Sequence, residues 1–133
     1  MTDQTELERN IAFVRSHFDD FVNHRDITAI ERNLAQDFVD HDGPGGRTDA
    51  AADRLMMARM HATFPDLHVT VLDAVAQHDK VVVRNRWTGT NAQTGHKMEF
   101  HGFVMWRIAG GKIAERWGTV TPMHDVGAAA KGW

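Results

Sequence analysis

The last third of the chain, Lys97 to Val120, restricts the fold more than any other stretch. Two long runs, Lys97–Ile108 and Lys112–Val120, flank Ala109-Gly110-Gly111 and read as strands joined by a glycine hairpin. Strand alternation lets Phe103, Met105, Ile113 and Trp117 share one face, and Phe100, Val104, Trp106, Ala114 and Val120 the other. A sheet wetted on one side alternates apolar with polar residues, whereas here both faces carry large apolar groups. One face must therefore cover a core or pocket, and the other is expected to meet a second subunit.

The register of this hairpin has two readings. A two-residue loop, Gly110-Gly111, sets Phe103 opposite Gly118. A three-residue loop, Ala109 to Gly111, uses Gly111 as a left-handed bulge and sets Gly102 opposite Gly118, Val104 opposite Arg116 and Trp106 opposite Ala114. Glycine inside a strand often marks the close approach of another group. Two facing glycines would open a gap above the sheet, or simply permit a bend.

Upstream, Thr5 and Glu8 have capping-box spacing, and Leu7, Ile11, Val14, Phe18 and Phe21 recur at helical intervals, so a helix is expected to end near Asn23-His24. Thr28 and Glu31 repeat the cap for a short helix carrying Ile27, Ile30 and Leu34. Asp42-Gly43-Pro44-Gly45-Gly46 breaks the chain. Thr48 or Asp49 caps a third helix with Ala52, Met56, Met60 and Phe64 on one stripe and Leu55 beside it, stopped by Pro65-Asp66. Beyond Pro65 everything favours strand: Leu67, Val69 and Val71 alternate with polar residues, His78-Asp79-Lys80 turns, Val81 to Thr90 is β-branched, and Asn91 to Gly95 is a polar loop. Helices followed by an antiparallel meander indicate an α+β fold. The tail from Gly127 to Trp133 is expected to be loosely held.

The 133 residues suit a single domain spanning 1–133, with an ordinary 42% hydrophobic and 25% charged residues. A net charge of -3 leaves no electrostatic footprint for nucleic acid, and no basic run suggests a membrane surface. No apolar stretch approaches the roughly 20 residues that span a bilayer. The polar N-terminus is unlike a signal peptide, so a soluble cytoplasmic protein is expected. Cysteine is absent, which excludes disulfides and thiolate metal sites. The nine histidines are scattered without ligand spacing, so no metal site is expected. No phosphate loop follows Gly43-Pro44-Gly45-Gly46, and Ser16, the single serine, gives no nucleophile elbow.

Asp37-Phe38-Val39-Asp40-His41, Phe64-Pro65-Asp66, Gly89-Thr90, the run from Gly102 through Arg107-Ile108, and Gly111-Lys112-Ile113-Ala114-Glu115-Arg116-Trp117 occur in an order and spacing that resemble the SnoaL-like polyketide cyclases, or ester cyclases, of the nuclear transport factor 2-like superfamily. The resemblance covers nearly the whole chain. It implies a cone-shaped barrel: a strongly curved antiparallel sheet wrapped by N-terminal helices around a pocket. It also implies dimerisation through the outer sheet face and intramolecular aldol chemistry without metal or organic cofactor. The base of the characterised cyclases is an aspartate on the last strand, a position held here by Gly118. A glutamine and a histidine of those cyclases fall on Gly102 and Val104.

Other residues could carry the chemistry. Arg116 shares the candidate pocket face with Gly118, where a guanidinium can hold a carboxylate, phenolate or enolate oxygen, or pair with an aspartate. In Asp40-His41-Asp42 a histidine flanked by carboxylates can be a base tuned near neutrality, or part of a turn. Glu99, His101 and Glu115 are expected on the outer face. Trp87, Trp106, Met56 and Met60 would form a pocket wall for a flat apolar ligand, or simply core. Three readings stay open. One is a cofactor-free cyclase, isomerase or lyase-like enzyme acting on a small carbonyl compound, with His41, Asp40 and Arg116 as catalytic groups and Trp87, Gly102, Val104, Trp106, Gly118, Met56 and Met60 as ligand contacts. The second is a non-catalytic homodimer that binds a small lipophilic molecule. The third is a structural dimerisation domain with a filled cone.

Overall fold

The computed structural model describes residues 3–127. Helix α1 (Gln4–Phe18) begins where the Asp3 carboxylate accepts the Glu6 backbone N–H, ahead of the expected Thr5 cap. It continues into a π-helical turn, Asp19–Asn23, which buries Phe21 and Val22. Helix α2 (Thr28–Asn33) is short, and helix α3 (Ala50–Thr63) is capped by the Asp49 carboxylate on the Ala52 N–H. The face α3 turns inward carries Asp53 and Met57, with Met56 and Met60 alongside; Leu55, expected beside the apolar stripe, is 53% exposed.

Seven strands form one sheet: β1 (Leu34–Gly43), β2 (Gly46–Thr48), β3 (His68–Gln77), β4 (Lys80–Thr90), β5 (Lys97–Ala109), β6 (Lys112–Val120) and β7 (His124–Asp125). The order is β2-β1-β6-β5-β4-β3, with β7 on β5. The α+β class with helices leading into an antiparallel meander holds. Two features depart from expectation. The stretch read as a break is a hairpin: β1 runs parallel to β6, and β2 folds back antiparallel on β1. The sheet also stays open, with β2 and β3 at its edges, so it curves without closing into a barrel. Residues 128–133 of the expected loose tail lie outside the described residues.

The β5–β6 hairpin follows neither expected register. Gly110 and Gly111, both at positive φ, make a two-residue turn with Ala109 opposite Lys112. A β-bulge then intervenes: Ile108 pairs with Ile113 and Arg107 with Glu115, leaving Ala114 as the extra residue. The cause is visible in burial. Ile113 and Ala114 are consecutive and both buried, which a regularly alternating strand cannot offer to one face. The bulge moves Ile113 to the inner face beside Ile108 and sets Trp106 opposite Arg116, Val104 opposite Gly118 and Gly102 opposite Val120. It also adds twist where the sheet must curl.

The inner face packs against α1 and the π-helical turn. Val14, Phe18, Phe21, Val81, Val83, Val104, Trp106 and Ile113 form its dry centre. Asn85 and Trp87 of β4 face inward with Val83, which settles a choice that alternation alone left open. On the outer face Phe103 is 55% exposed, while Val75, Val82, Met105 and Trp117 follow one another across four strands.

Candidate functional site

Between the inner sheet face and the helices lies a cavity of about 370 Å³. Its walls are mostly apolar: Phe18 and Phe21 from α1 and its continuation, Met56, Met57 and Met60 from α3, and Trp87, Val104 and Trp106 from the sheet. Methionines along one helix and tryptophans across the strands make an adaptable slot for a flat molecule. Near its mouth stand Asp42, Gly43 and Pro44 of the β1–β2 hairpin, and Thr119 and Val120 of β6.

Three ionisable side chains converge on this apolar space. Asp40 sits where β1 pairs with β6, directly opposite Arg116, and is 1% exposed. Its Oδ1 accepts from Arg116 Nη1 at 2.9 Å and from the Asp42 backbone N–H at 3.0 Å. The Arg116 guanidinium also lies 5.8 Å from the centre of the Trp106 ring, a cation–π contact. The third group is Asp53, one turn into α3 and buried. Burial, then a hydrogen bond with Asp40 and the charge of Asp40, push its carboxyl up to about 8, against the opposing pull of Arg116. Asp53 Oδ1 is sealed from solvent with no donor among the described residues, so an ionised Asp53 would be a bare buried charge. Holding a proton lets Asp53 donate to Asp40 and removes the bare charge. The site at neutral pH is therefore a neutral Asp53, an anionic Asp40 and a cationic Arg116.

A second polar group enters from α1. His17 is 3% exposed, stacks on Phe21 at 5.4 Å and meets the edge of Trp106 at 5.7 Å. Burial lowers its pKa from 6.5 to about 4, so the ring is neutral. Asn33 Nδ2 donates to its Nδ1 at 3.0 Å.

Of the residues expected at the site, Asp40, Arg116, Trp87, Val104, Trp106, Gly118, Met56 and Met60 line the cavity. His41 does not. Alternation along β1 sends it to the opposite face, where its ring stacks on Trp117 at 4.7 Å and its Nε2 donates to Glu115 Oε2 at 2.7 Å. Hydrogen bonds from His41 and Arg107 hold the Glu115 carboxyl below its ordinary range. Gly102 is not part of the lining either: a Cβ there would stand 3.0 Å from Asn85 Oδ1.

The expected gap above Gly118 is occupied as well. A Cβ at this position would lie 2.8 Å from Arg116 Nη2 and 3.1 Å from its Cζ, so the missing side chain makes room for the guanidinium two residues back. The Gly118 N–H donates to Asp42 Oδ2 at 2.9 Å, which ties β6 to the hairpin at the mouth. Asp53 and His17 were not anticipated. The signal for both is a polar residue inside an apolar helical stripe: Asp53 with Met56, Met57 and Met60, and His17 with Val14, Phe18 and Phe21. Among the described residues no cluster of His, Asp or Glu is arranged to hold a metal, and no helix is long and apolar enough to cross a membrane.

Comparison with known proteins places this architecture. No curated protein matches the chain. Solved structures do. IdmH from Streptomyces antibioticus, described as a candidate polyketide cyclase, is 26% identical, with a TM-score of 0.77 over 84% of this chain and 91% of its own. A candidate polyketide cyclase from Bacillus cereus is 23% identical, with a TM-score of 0.79 over 90% of this chain and 78% of its own. An epoxide hydrolase from M. tuberculosis is 16% identical, with a TM-score of 0.67 over 85% and 83%, and shares the fold alone. The family model for SnoaL-like polyketide cyclases matches residues 12–123, from the middle of α1 to the approach to β7. With fold and sequence agreeing over that span, the chain belongs to the SnoaL-like polyketide cyclase family.

Proposed function

We propose that the cavity takes a small, largely apolar carbonyl compound and that Asp53, Asp40 and Arg116 carry out cofactor-free proton transfer next to the carbonyl, the chemistry of aldol cyclisation or isomerisation. The observation that carries this reading is Asp53, a buried carboxyl in an apolar cavity that needs its proton to be satisfied. A carboxyl raised toward neutrality is matched to taking a proton from carbon and returning it. Asp53, once ionised, removes the α-hydrogen. The fixed charge of Asp40 keeps Asp53 basic. Arg116, held at 2.9 Å from Asp40, steadies the enolate oxygen. The family's aspartate on the last strand is thus replaced by a carboxyl on α3, and Gly118 leaves space for the cation.

The test is α-hydrogen exchange of 2-tetralone in D2O, followed by proton NMR. Exchange should be accelerated by the protein, rise with pH to half its maximum near pH 8 and to a plateau above about pH 9, and fall at least 100-fold in Asp53→Asn. Binding of 2-tetralone without exchange would refute the enzyme. It would favour a second reading, a non-catalytic carrier, which the occupied Arg116–Asp40 pair and the missing carboxylate at Gly118 support.

We also propose a homodimer through the outer sheet face. The apolar row of Val75, Val82, Met105 and Trp117, with Phe103 beside it, is a surface that suits burial against a second copy.

A further inference from the structure

The wall of the cavity holds a polar group that the proton-transfer scheme leaves unused. His17 is buried among Phe18, Phe21 and Trp106, and only half of its hydrogen-bonding capacity is met. Asn33, itself buried, donates to Nδ1 at 3.0 Å, so the neutral ring carries its hydrogen on Nε2. Nε2 has no partner among the described residues, and His17 is one of the cavity walls. A histidine kept for packing would gain nothing from turning a bare N–H toward empty space, because an unpaired buried donor is costly. Set among aromatic rings on the cavity wall, this donor suits an uncharged acceptor. An anion there would lose its hydration among aromatic rings, and of the two charges that act on the ring the larger effect is that of the Asp20 carboxylate, not of Arg32.

We infer that His17, oriented by Asn33, is a specificity residue that binds a neutral carbonyl or quinone oxygen of the ligand through its Nε2–H. The inference rests on the reading of the cavity as a ligand site. It adds a second anchor, distinct from the Asp53–Asp40–Arg116 group, so a ligand carrying two oxygens can be held at both ends while its flat body lies against Trp87, Trp106 and the methionines.

The experiment compares 9-fluorenone with fluorene. They share one shape, differ by the carbonyl oxygen, and carry no α-hydrogen that Asp53 could exchange as in 2-tetralone. Quenching of the cavity tryptophans reports binding. The wild-type protein should bind 9-fluorenone about tenfold tighter than fluorene, the worth of one good buried hydrogen bond. His17→Phe should bind both about equally while keeping its affinity for fluorene. The carbonyl stretch of bound 9-fluorenone should move to lower frequency in the wild type only. Nitrogen NMR of the wild-type protein, which needs no variant, should show His17 protonated at Nε2. Equal affinities in the wild type, or a His17 protonated at Nδ1, would overturn the role of His17 while leaving the cavity as a ligand site. Failure of both compounds to bind would overturn the cavity reading and the inference with it.

Discussion

Raising the pH from 6.5 to 8 should weaken the fold, and Asp53→Asn should abolish that dependence. The Asp53 carboxyl has a pKa of about 8 when folded and an ordinary 3.8 when unfolded. Between those values the folded state holds a proton that the unfolded chain lacks. The associated stability is therefore complete at low pH and is lost as pH rises, at about 1.4 kcal/mol per unit. His17 has the opposite sign. Its pKa is about 4 when folded and 6.5 when unfolded, so between these the unfolded chain holds the extra proton and stability grows with pH. From about pH 4 to 6.5 the two groups oppose one another. Above 6.5 the unfolded His17 still gives up its last half proton, which offsets the Asp53 effect by about 0.4 kcal/mol, and from about pH 7.5 Asp53 acts alone. The carboxylates whose pKa values are lowered, such as Asp66 and Glu115, finish titrating well below this window. Integrating from pH 6.5 to 8, with the slope fading near 8 and the His17 offset included, gives a net loss of about 1.3 kcal/mol. Urea unfolding followed by tryptophan fluorescence at fixed ionic strength measures it. The wild-type midpoint should fall across this range. Asp53→Asn, whose amide can donate to Asp40 as the acid does, should show a midpoint that no longer falls. A flat wild type, or a variant that keeps the slope, would refute the assignment of the proton to Asp53.

Other perturbations test the neighbours. Arg116→Met strips the buried Asp40 carboxylate of its cation and should cost about 3 kcal/mol at neutral pH; an unchanged urea midpoint would contradict the pairing. Gly118→Asp drives a side chain into the space of the guanidinium, 2.8 Å from a Cβ at that position, and should cost about 1–3 kcal/mol; a neutral result would mean Arg116 does not lie over residue 118. Sedimentation at micromolar concentration should find a dimer, and Phe103→Asp on the exposed outer face should shift it to monomer; a wild-type monomer would refute the proposed interface.

Much of the architecture is legible from periodicity. α1, α3 and the strands after Pro65 follow directly from apolar spacing and glycine or proline punctuation, because each buries one face against a single partner layer. β1 is not legible in this way. Leu34 to Gly43 carries three aspartates and alternates imperfectly, since it lies between a short edge strand and β6 with its face divided between core and cavity mouth. Missing that strand hid the alternation that sends Asp40 and Asp42 to one side and His41 to the other. The bulge at Ala114 is equally silent locally. The glycine pair dictates the turn, but only the burial of both Ile113 and Ala114 against the rest of the molecule demands the extra residue. The site was half legible for a related reason. Arg116 stands out as a charge in an apolar strand and Asp40 as part of a carboxylate-flanked histidine, whereas Asp53 goes unremarked, because a stripe drawn through Ala52, Met56 and Met60 leaves it at the margin.

The most direct test of the account is carbon-13 NMR of the aspartate carboxyls across pH 3 to 10. One carboxyl should titrate near pH 8, vanish from the spectrum of Asp53→Asn, and sense Arg116→Met. If every aspartate instead titrates below pH 5, the neutral Asp53 beside an anionic Asp40 does not exist and the proposed chemistry falls with it.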